Sequence, residues 1–181
     1  MSEFENPSSS FFSIEQSLID LTLQSGAPID TPRTIKFGNS LTSPNGLISY
    51  DSTTGNLTVL KTGPYFFKTR ARPQRSGGAG ISDTFFWVET STDNGATFSV
   101  VGNAINIRLT TASEAAVFFD LTPVFLPAGT IVRSMWARSS TGFDDVNLEA
   151  HAPSAALQAQ GVPVSPSAQL TLYKSNNWDY V

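Results

Sequence analysis

The run Ser49-Tyr50-Asp51-Ser52-Thr53-Thr54-Gly55-Asn56-Leu57-Thr58-Val59, followed at once by Gly63-Pro64-Tyr65-Phe66-Phe67, constrains this chain more than any other segment. Leu57 and Val59 alternate with Asn56 and Thr58, the period of a half-buried strand. Gly63 breaks the run and Tyr65-Phe66-Phe67 opens a second strand, so the segment reads as a hairpin of two strands joined at a glycine. A chain committed to strands here must bury their apolar faces against something. With 181 residues it has enough length for one domain with a proper core and a short extension.

Further strands are expected at about 35–37, 47–50, 56–61, 64–71, 82–90, 97–101, 104–109, 115–121, 130–138 and 168–174. Asp93-Asn94-Gly95 is a tight-turn signal, because Asn-Gly supplies the positive φ that such a turn needs. Gly77-Gly78-Ala79-Gly80 reads as a loose connection. Many short strands, Gly/Pro turns and no βαβ alternation point to a sandwich or jelly roll. Only 14% of residues are charged while 13 are Phe, which suits large buried surfaces, subunit interfaces included.

Residues 1–34 read as an N-terminal arm and docking segment, and 35–181 as the β-domain. Phe11, Ile14, Leu18 and Leu21 have the 3-4-3 spacing of an amphipathic helix, with Phe12, Ile19 and Leu23 widening the stripe. The strictly alternating Ile19-Asp20-Leu21-Thr22-Leu23 equally suits a first strand, and the two readings stand side by side. Gly26-Ala27-Pro28 and Thr31-Pro32 make 26–34 a linker. Residues 141–167 read as a long loop with a helical turn at 154–160. Long loops on a rigid β-scaffold are where recognition concentrates, so Asp144, Asp145, Asn147 and His151 are its receptor-contact candidates.

The motif Tyr50-Asp51-x-x-Thr54-Gly55-x-Leu57-Thr58-Val59-x-x-x-Gly63-x-Tyr65-x-Phe67 resembles the C1q/TNF-like jelly-roll superfamily. Ala115-Ala116-Val117-Phe118-Phe119 leading to Leu126-Pro127-Ala128-Gly129-Thr130-Ile131-Val132 resembles the family's Leu-x-x-Gly-Asp-x-Val turn, with Thr130 in place of the usual Asp. Ala168-Gln169-Leu170-Thr171-Leu172-Tyr173 resembles its closing strand, without the usual Gly. The resemblance spans about residues 45–174. It implies an all-β, ten-stranded jelly-roll sandwich assembling as a homotrimer, with Tyr65, Phe67 and Tyr173 matching positions in or near the trimer core. The alternative role for these aromatics is the chain's own core.

No catalytic set is legible. His151 is the sole histidine, no Gly-x-Ser-x-Gly elbow exists, and pairs drawn from Glu89, Glu114, Asp120, Asp144, Asp145 and Glu149 carry no spacing signal. One His and no Cys exclude most zinc arrangements, and the absence of Cys also rules out a disulfide framework. Asp144-Asp145 with Asn147 is the best local calcium candidate and reads more simply as a solvated acidic turn. No cofactor is expected. A net charge of −4 disfavours nucleic-acid and anionic-membrane partners, and Lys68, Arg70, Arg72 and Arg75 read as a polar strand face running into a loop. Phe85-Phe86-Trp87-Val88 reads as core and Met135-Trp136 as core or interface, while Trp178 lies in an aromatic C-terminal tail.

The first residues lack the basic and apolar regions of a signal peptide, and no run reaches membrane-span length. The resulting expectation is a non-enzymatic virion structural protein of a bacteriophage or other virus, made in the host cytoplasm. As a trimeric decoration (cement) protein it would bind the major capsid protein at the outer capsid surface, docking through Phe11, Phe12, Ile14, Leu18 and Leu21. One alternative is the receptor-binding tip of a tail or head fibre, with a host-surface glycan as partner. Another is a carbohydrate-binding or carbohydrate-active β-sandwich, which would need a groove combining carboxylates with Trp.

Overall fold

The computed structural model describes residues 13–26, 29–44, 46–75, 80–110, 115–139 and 146–174, with backbone alone for 13–16 and 120–123. A four-stranded antiparallel sheet takes β1 (Ser13–Asp20), β13 (Ala168–Lys174), β6 (Gly63–Ala71) and β10 (Val117–Leu126) in that order. A larger sheet runs β3 (Leu41–Thr42), β4 (Ile48–Asp51), β5 (Asn56–Val59), β11 (Ile131–Arg138), β8 (Ser82–Ser91) and β9 (Ser99–Leu109). Its seventh strand, β2 (Arg33–Thr34), pairs with β11 at Trp136 and Met135. A two-stranded ribbon joins β7 (Pro73–Arg75) to β12 (Val146–Leu148). The single turn α1 (Ala155–Ala159), capped by Ser154, falls where the helical turn was expected.

Period-two alternation explains how the sheets close on one another. On β6, Tyr65, Phe67, Thr69 and Ala71 point inward while Lys68 points out to solvent. Leu170 and Leu172 of β13 join them, facing Tyr50, Leu57, Val59, Phe86 and Trp136 of the larger sheet. Contact between the layers is direct: the rings of Phe86 and Phe119 are 5.9 Å apart, and the Thr69 and Ser134 hydroxyls are 2.9 Å apart. Each large apolar side chain buried this way contributes about 1.5–3 kcal/mol.

The opening motif folds differently from the expected hairpin. β5 and β6 lie in different sheets, with the chain crossing between layers before Gly63. The hairpin is β4–β5, in register from Ile48↔Val59 to Asp51↔Asn56. Its turn is fixed by the Asp51 carboxylate, which accepts the Thr53 N–H at 2.9 Å and the Thr54 hydroxyl at 2.7 Å. Gly55 then adopts φ +76°. β6 buries alternate residues between β13 and β10, so both of its edges are taken.

Among the described residues there are thirteen strands rather than ten. The expected 97–101 and 104–109 are one strand, β9, kinked at Gly102. The expected strand at 35–37 pairs earlier, at 33–34, although Ile35 and Phe37 are core. Additional strands are β1, β3, β7 and β12. β10 runs on through Pro123, which the sheet tolerates because β10 is an edge strand and its pairing with β6 shifts register between Leu121 and Val124. The Asp93-Asn94-Gly95 signal makes the β8–β9 hairpin turn, with Asn94 at φ +59° and Gly95 at φ +84°.

At the N-terminus the chain forms a strand rather than a helix, but over Ser13–Asp20, earlier than the 19–23 expected from the alternation. Residues 13–20 pair with β13 from Ser13↔Lys174 to Asp20↔Ala168, so part of the segment set apart as an arm is an edge strand of the sandwich. The linker expected at 26–34 is also tied in. Gly26 lies so close to Val146 that a Cβ would meet its carbonyl oxygen, the Asp30 N–H donates to the Arg138 carbonyl, and just before the linker Gln24 exchanges both backbone hydrogen bonds with Leu148. The basic cluster splits: Lys68 and Arg70 face outward, but Arg72 and Arg75 are buried. The Arg75 Nη1 donates to the Gly80 carbonyl at 2.5 Å, so burial of this guanidinium serves to hold a loop end.

Candidate functional site

Two outward faces carry exposed or half-buried aromatic residues. The first is the outer side of the four-stranded sheet. Phe66 of β6 faces Tyr173 of β13 across the pair, with ring centroids 6.0 Å apart. On the adjoining strand, Phe118 and Phe125 are 54% and 59% exposed. Lys68 and Arg70 flank Phe118, with cationic groups 5.8 and 5.6 Å from its ring centroid. Ile19 of β1, half exposed, extends the apolar area to the opposite edge.

Strand parity separates the aromatics assigned to the trimer interface. Tyr65 and Phe67 are 1% and 2% exposed within a single chain and present almost no surface to a neighbour. Tyr65 donates its hydroxyl to the Lys61 carbonyl at 2.6 Å and stacks on Phe67 at 6.1 Å, so both belong to this chain's core. Tyr173 alone of the three faces outward, beside Phe66. Phe66, Phe118 and Phe125 escaped sequence analysis. The signal was the triple Tyr65-Phe66-Phe67, which must send its middle residue to the face opposite its neighbours.

Of the capsid-docking candidates, Phe11 and Phe12 lie outside the described residues. The backbone of Ile14 is in β1. Leu18 is core at 5% exposure, whereas Leu21 is exposed. Strand parity therefore replaces the helical stripe: Ile19, Leu21 and Leu23 are the exposed apolar residues here. Of the receptor-loop candidates, Asp144 and Asp145 lie outside the described residues. Asn147 sits in β12, where its side-chain carbonyl accepts the Gly26 N–H at 2.8 Å. His151 is exposed, and its backbone pairs with Ser165. Among the described residues no cluster of three or more His, Cys, Asp or Glu could hold a metal.

The second face is the outer side of the larger sheet, where Trp87 lies half-buried rather than in the core expected for it. The run Phe85-Phe86-Trp87-Val88 is apolar on both parities, so Phe86 and Val88 take the core and Phe85 and Trp87 the outside. β9 leaves regular pairing opposite Trp87: Phe86 pairs with Ile105 but Val88 with Val101, and Gly102 adopts φ +73°. The strand bows away there. An open groove of about 430 Å³ results, lined by Phe85, Trp87, Val100, Ala104, Asp30 and Ser139 among others.

Groups around the groove are held in place. The Trp87 indole N–H donates to Glu89 Oε1 at 2.8 Å, while Glu89 Oε2 takes the Arg133 Nε at 2.8 Å. Arg133 also lies 3.5 Å from the Phe98 ring centroid. On the same outer face, Arg108 grips Asp83 through Nε and Nη2, at 2.9 and 3.3 Å. That carboxylate raises the Arg108 pKa, through hydrogen bonding first and charge second. Asp30 closes one wall with φ +55°, its N–H donating to the Arg138 carbonyl at 2.9 Å.

The fold is a C1q/TNF-like jelly roll: an all-β sandwich of two antiparallel sheets. Murine APRIL at pH 5.0 superposes with a TM-score of 0.51 at 9% identity, over 87% of this chain and 95% of that one. Eiger TNF from S. frugiperda superposes with a TM-score of 0.48 at 10% identity, over 93% and 97%. At 9% identity the likeness to APRIL shows the fold alone. No protein-family model and no curated protein matches the sequence.

Proposed function

We propose that this chain is a non-enzymatic structural binding protein that assembles as a homotrimer through the outer face of its four-stranded sheet. The observation that carries this reading is the outward aromatic set on that face: Phe118 and Phe125, more than half exposed, beside the half-buried pair Phe66 and Tyr173. An apolar face of this kind gains most by burial against a copy of itself, and closed symmetry repeats each contact. Lys68 and Arg70 beside Phe118 give the face a cationic margin that fixes orientation more than affinity.

The setting we assign is the outer surface of a viral capsid, where the trimer acts as a decoration protein on the major capsid protein. A threefold assembly placed on a threefold position makes one modest contact act three times. The exposed Ile19, Leu21 and Leu23 are the described part of the N-terminal segment that suits such docking.

Sedimentation velocity at about 10 µM tests assembly, a concentration at which an interface of standard size is occupied. A trimer is expected; a monomer refutes the assembly reading. Co-sedimentation with capsids that lack this protein tests the setting. Saturable binding in multiples of three copies is expected, and a trimer that leaves shells bare sinks the capsid assignment alone.

A further inference from the structure

We infer that the groove over Trp87 is a carbohydrate-binding site that takes a neutral pyranoside. The inference is independent of trimer assembly, because the groove lies on the other sheet. Three observations lead to it.

The first is the shape of the floor. Phe85 and Trp87 are alternate residues of one strand, so their side chains stand roughly 7 Å apart along it. The Trp87 ring is fixed by its hydrogen bond to Glu89, so its exposed surface is a pre-oriented plate. A pyranose ring is flat enough, and its axial C–H face apolar enough, to lie against such a plate while its hydroxyls project sideways. Ala104 and Ala137 are small, and they leave the space above the rings open. A volume of about 430 Å³ is the size of a small-ligand site.

The second is charge. Glu89 is neutralised by Arg133 and Asp83 by Arg108, so the flanking charges cancel in pairs. Two charged residues remain in the lining: Arg138, which is 6% exposed and shows the groove little of its surface, and Asp30, whose carboxylate makes no side-chain hydrogen bond or ion pair among the described residues. A carboxylate with open acceptor positions suits two sugar hydroxyls and repels phosphate, sulfate and acidic sugars. Ser139 supplies a hydroxyl that donates or accepts on the same side.

The third is that the groove is built by departures from the regular sheet. The register shift in β9 opposite Trp87 and the left-handed backbone of Asp30 both cost stability. Both occur on the groove's walls. A face meant only to be solvated would need neither the displaced strand nor two outward aromatics.

The test is isothermal titration of the full chain with neutral oligosaccharides: gluco-, galacto-, manno- and N-acetylglucosamine oligomers at up to about 10 mM, so that dissociation constants from micromolar to millimolar register. Binding of at least one series is expected. Trp87→Ala should weaken it at least about tenfold, as loss of a central aromatic anchor does. Asp30→Asn should weaken it less, since an amide keeps one acceptor. Ala104→Gln, at an exposed position on β9, should block the groove without touching the core, which covers the case that Trp87→Ala fails to fold. No binding by any series, or binding unchanged by Ala104→Gln and Trp87→Ala, overturns the inference. A change in oligomeric state in Ala104→Gln without sugar binding also overturns it and makes this face a protein interface. A chain that forms trimers yet binds no sugar loses this site and keeps its assembly.

Discussion

The Phe37 backbone N–H donates to the Tyr50 hydroxyl at 2.7 Å, joining the segment after β2 to the middle of β4 inside the core. The rings of the same two residues meet at 6.2 Å. Phe37 leaves its donor with no ladder partner because hydrogen bonding to β11 ends with the Ile35 N–H on the Ser134 carbonyl. The tyrosine oxygen is therefore the only described acceptor for a buried N–H, and burial raises the Tyr50 pKa despite that bond.

Tyr50→Phe keeps the ring and removes the acceptor. The orphaned N–H should cost about 1–3 kcal/mol. Urea unfolding should show a lower midpoint with an unchanged slope. An unchanged midpoint would mean that another acceptor reaches Phe37.

Gly55 tests the β4–β5 turn. At φ +76° a side chain is strained, and a Cβ would come within 2.5 Å of the Thr34 Cγ2 and 3.1 Å of the Ile35 carbonyl oxygen. Gly55→Ala should destabilise by about 2 kcal/mol, lowering Tm by roughly 4–8 °C in a chain of this size. Gly129 has a similar φ, +89°, but open space around it, so Gly129→Ala should cost less. Equal losses at both sites would show that backbone strain, not the Thr34 contact, dominates.

Sequence periodicity reached most strands, but not the choice of faces. Phe85-Phe86-Trp87-Val88 is apolar at every position, so nothing local says which parity is core. β11 and the opposing sheet decide it, through contacts such as Phe86 with Trp136 and Phe119. The same blindness joined β5 to β6, which differ in sheet although only three residues separate them. At the N-terminus, Ile19, Leu21 and Leu23 fit both a helix and a strand. The deciding partner is β13, about 150 residues away, and no local pattern encodes a pairing of that separation. The Asp93-Asn94-Gly95 turn was legible because its conformation is set by its own residues. Asp30 was not, since a single aspartate at positive φ leaves no trace in sequence.

Asp93 ties the β8–β9 turn to acid sensitivity. Its carboxylate accepts the Ser91 hydroxyl at 2.6 Å and the Thr97 N–H at 2.9 Å, and these bonds hold its pKa far below the ordinary 3.8. A depressed folded-state pKa adds stability that is complete above the unfolded value and is lost as pH falls. Asp93→Ala should therefore be less stable than wild type near pH 7, with the gap narrowing as pH drops from about 4 toward 2. Paired urea titrations across that window check this. A gap that stays constant would mean the turn is held by Asn94 and Gly95 alone.

Assembly is best probed by residues that the single chain does not need. Phe67→Ala would remove a core ring and cost about 3–5 kcal/mol whatever the oligomeric state, so it cannot separate folding from association. Phe118 and Phe125 are more than half exposed, and replacing them with Gln removes apolar surface from the outer face alone. The double variant should fold with wild-type circular dichroism yet sediment as a monomer at concentrations where wild type is a trimer. Its Tm should no longer rise with protein concentration, because mass action on association is gone. If the double variant remains a trimer, contact runs through another surface, and the exposed β9 edge and the Trp87 face become the places to look. If it unfolds instead, Lys68→Glu, at an exposed position 5.8 Å from the Phe118 ring, supplies the same test by reversing charge at the margin of the face.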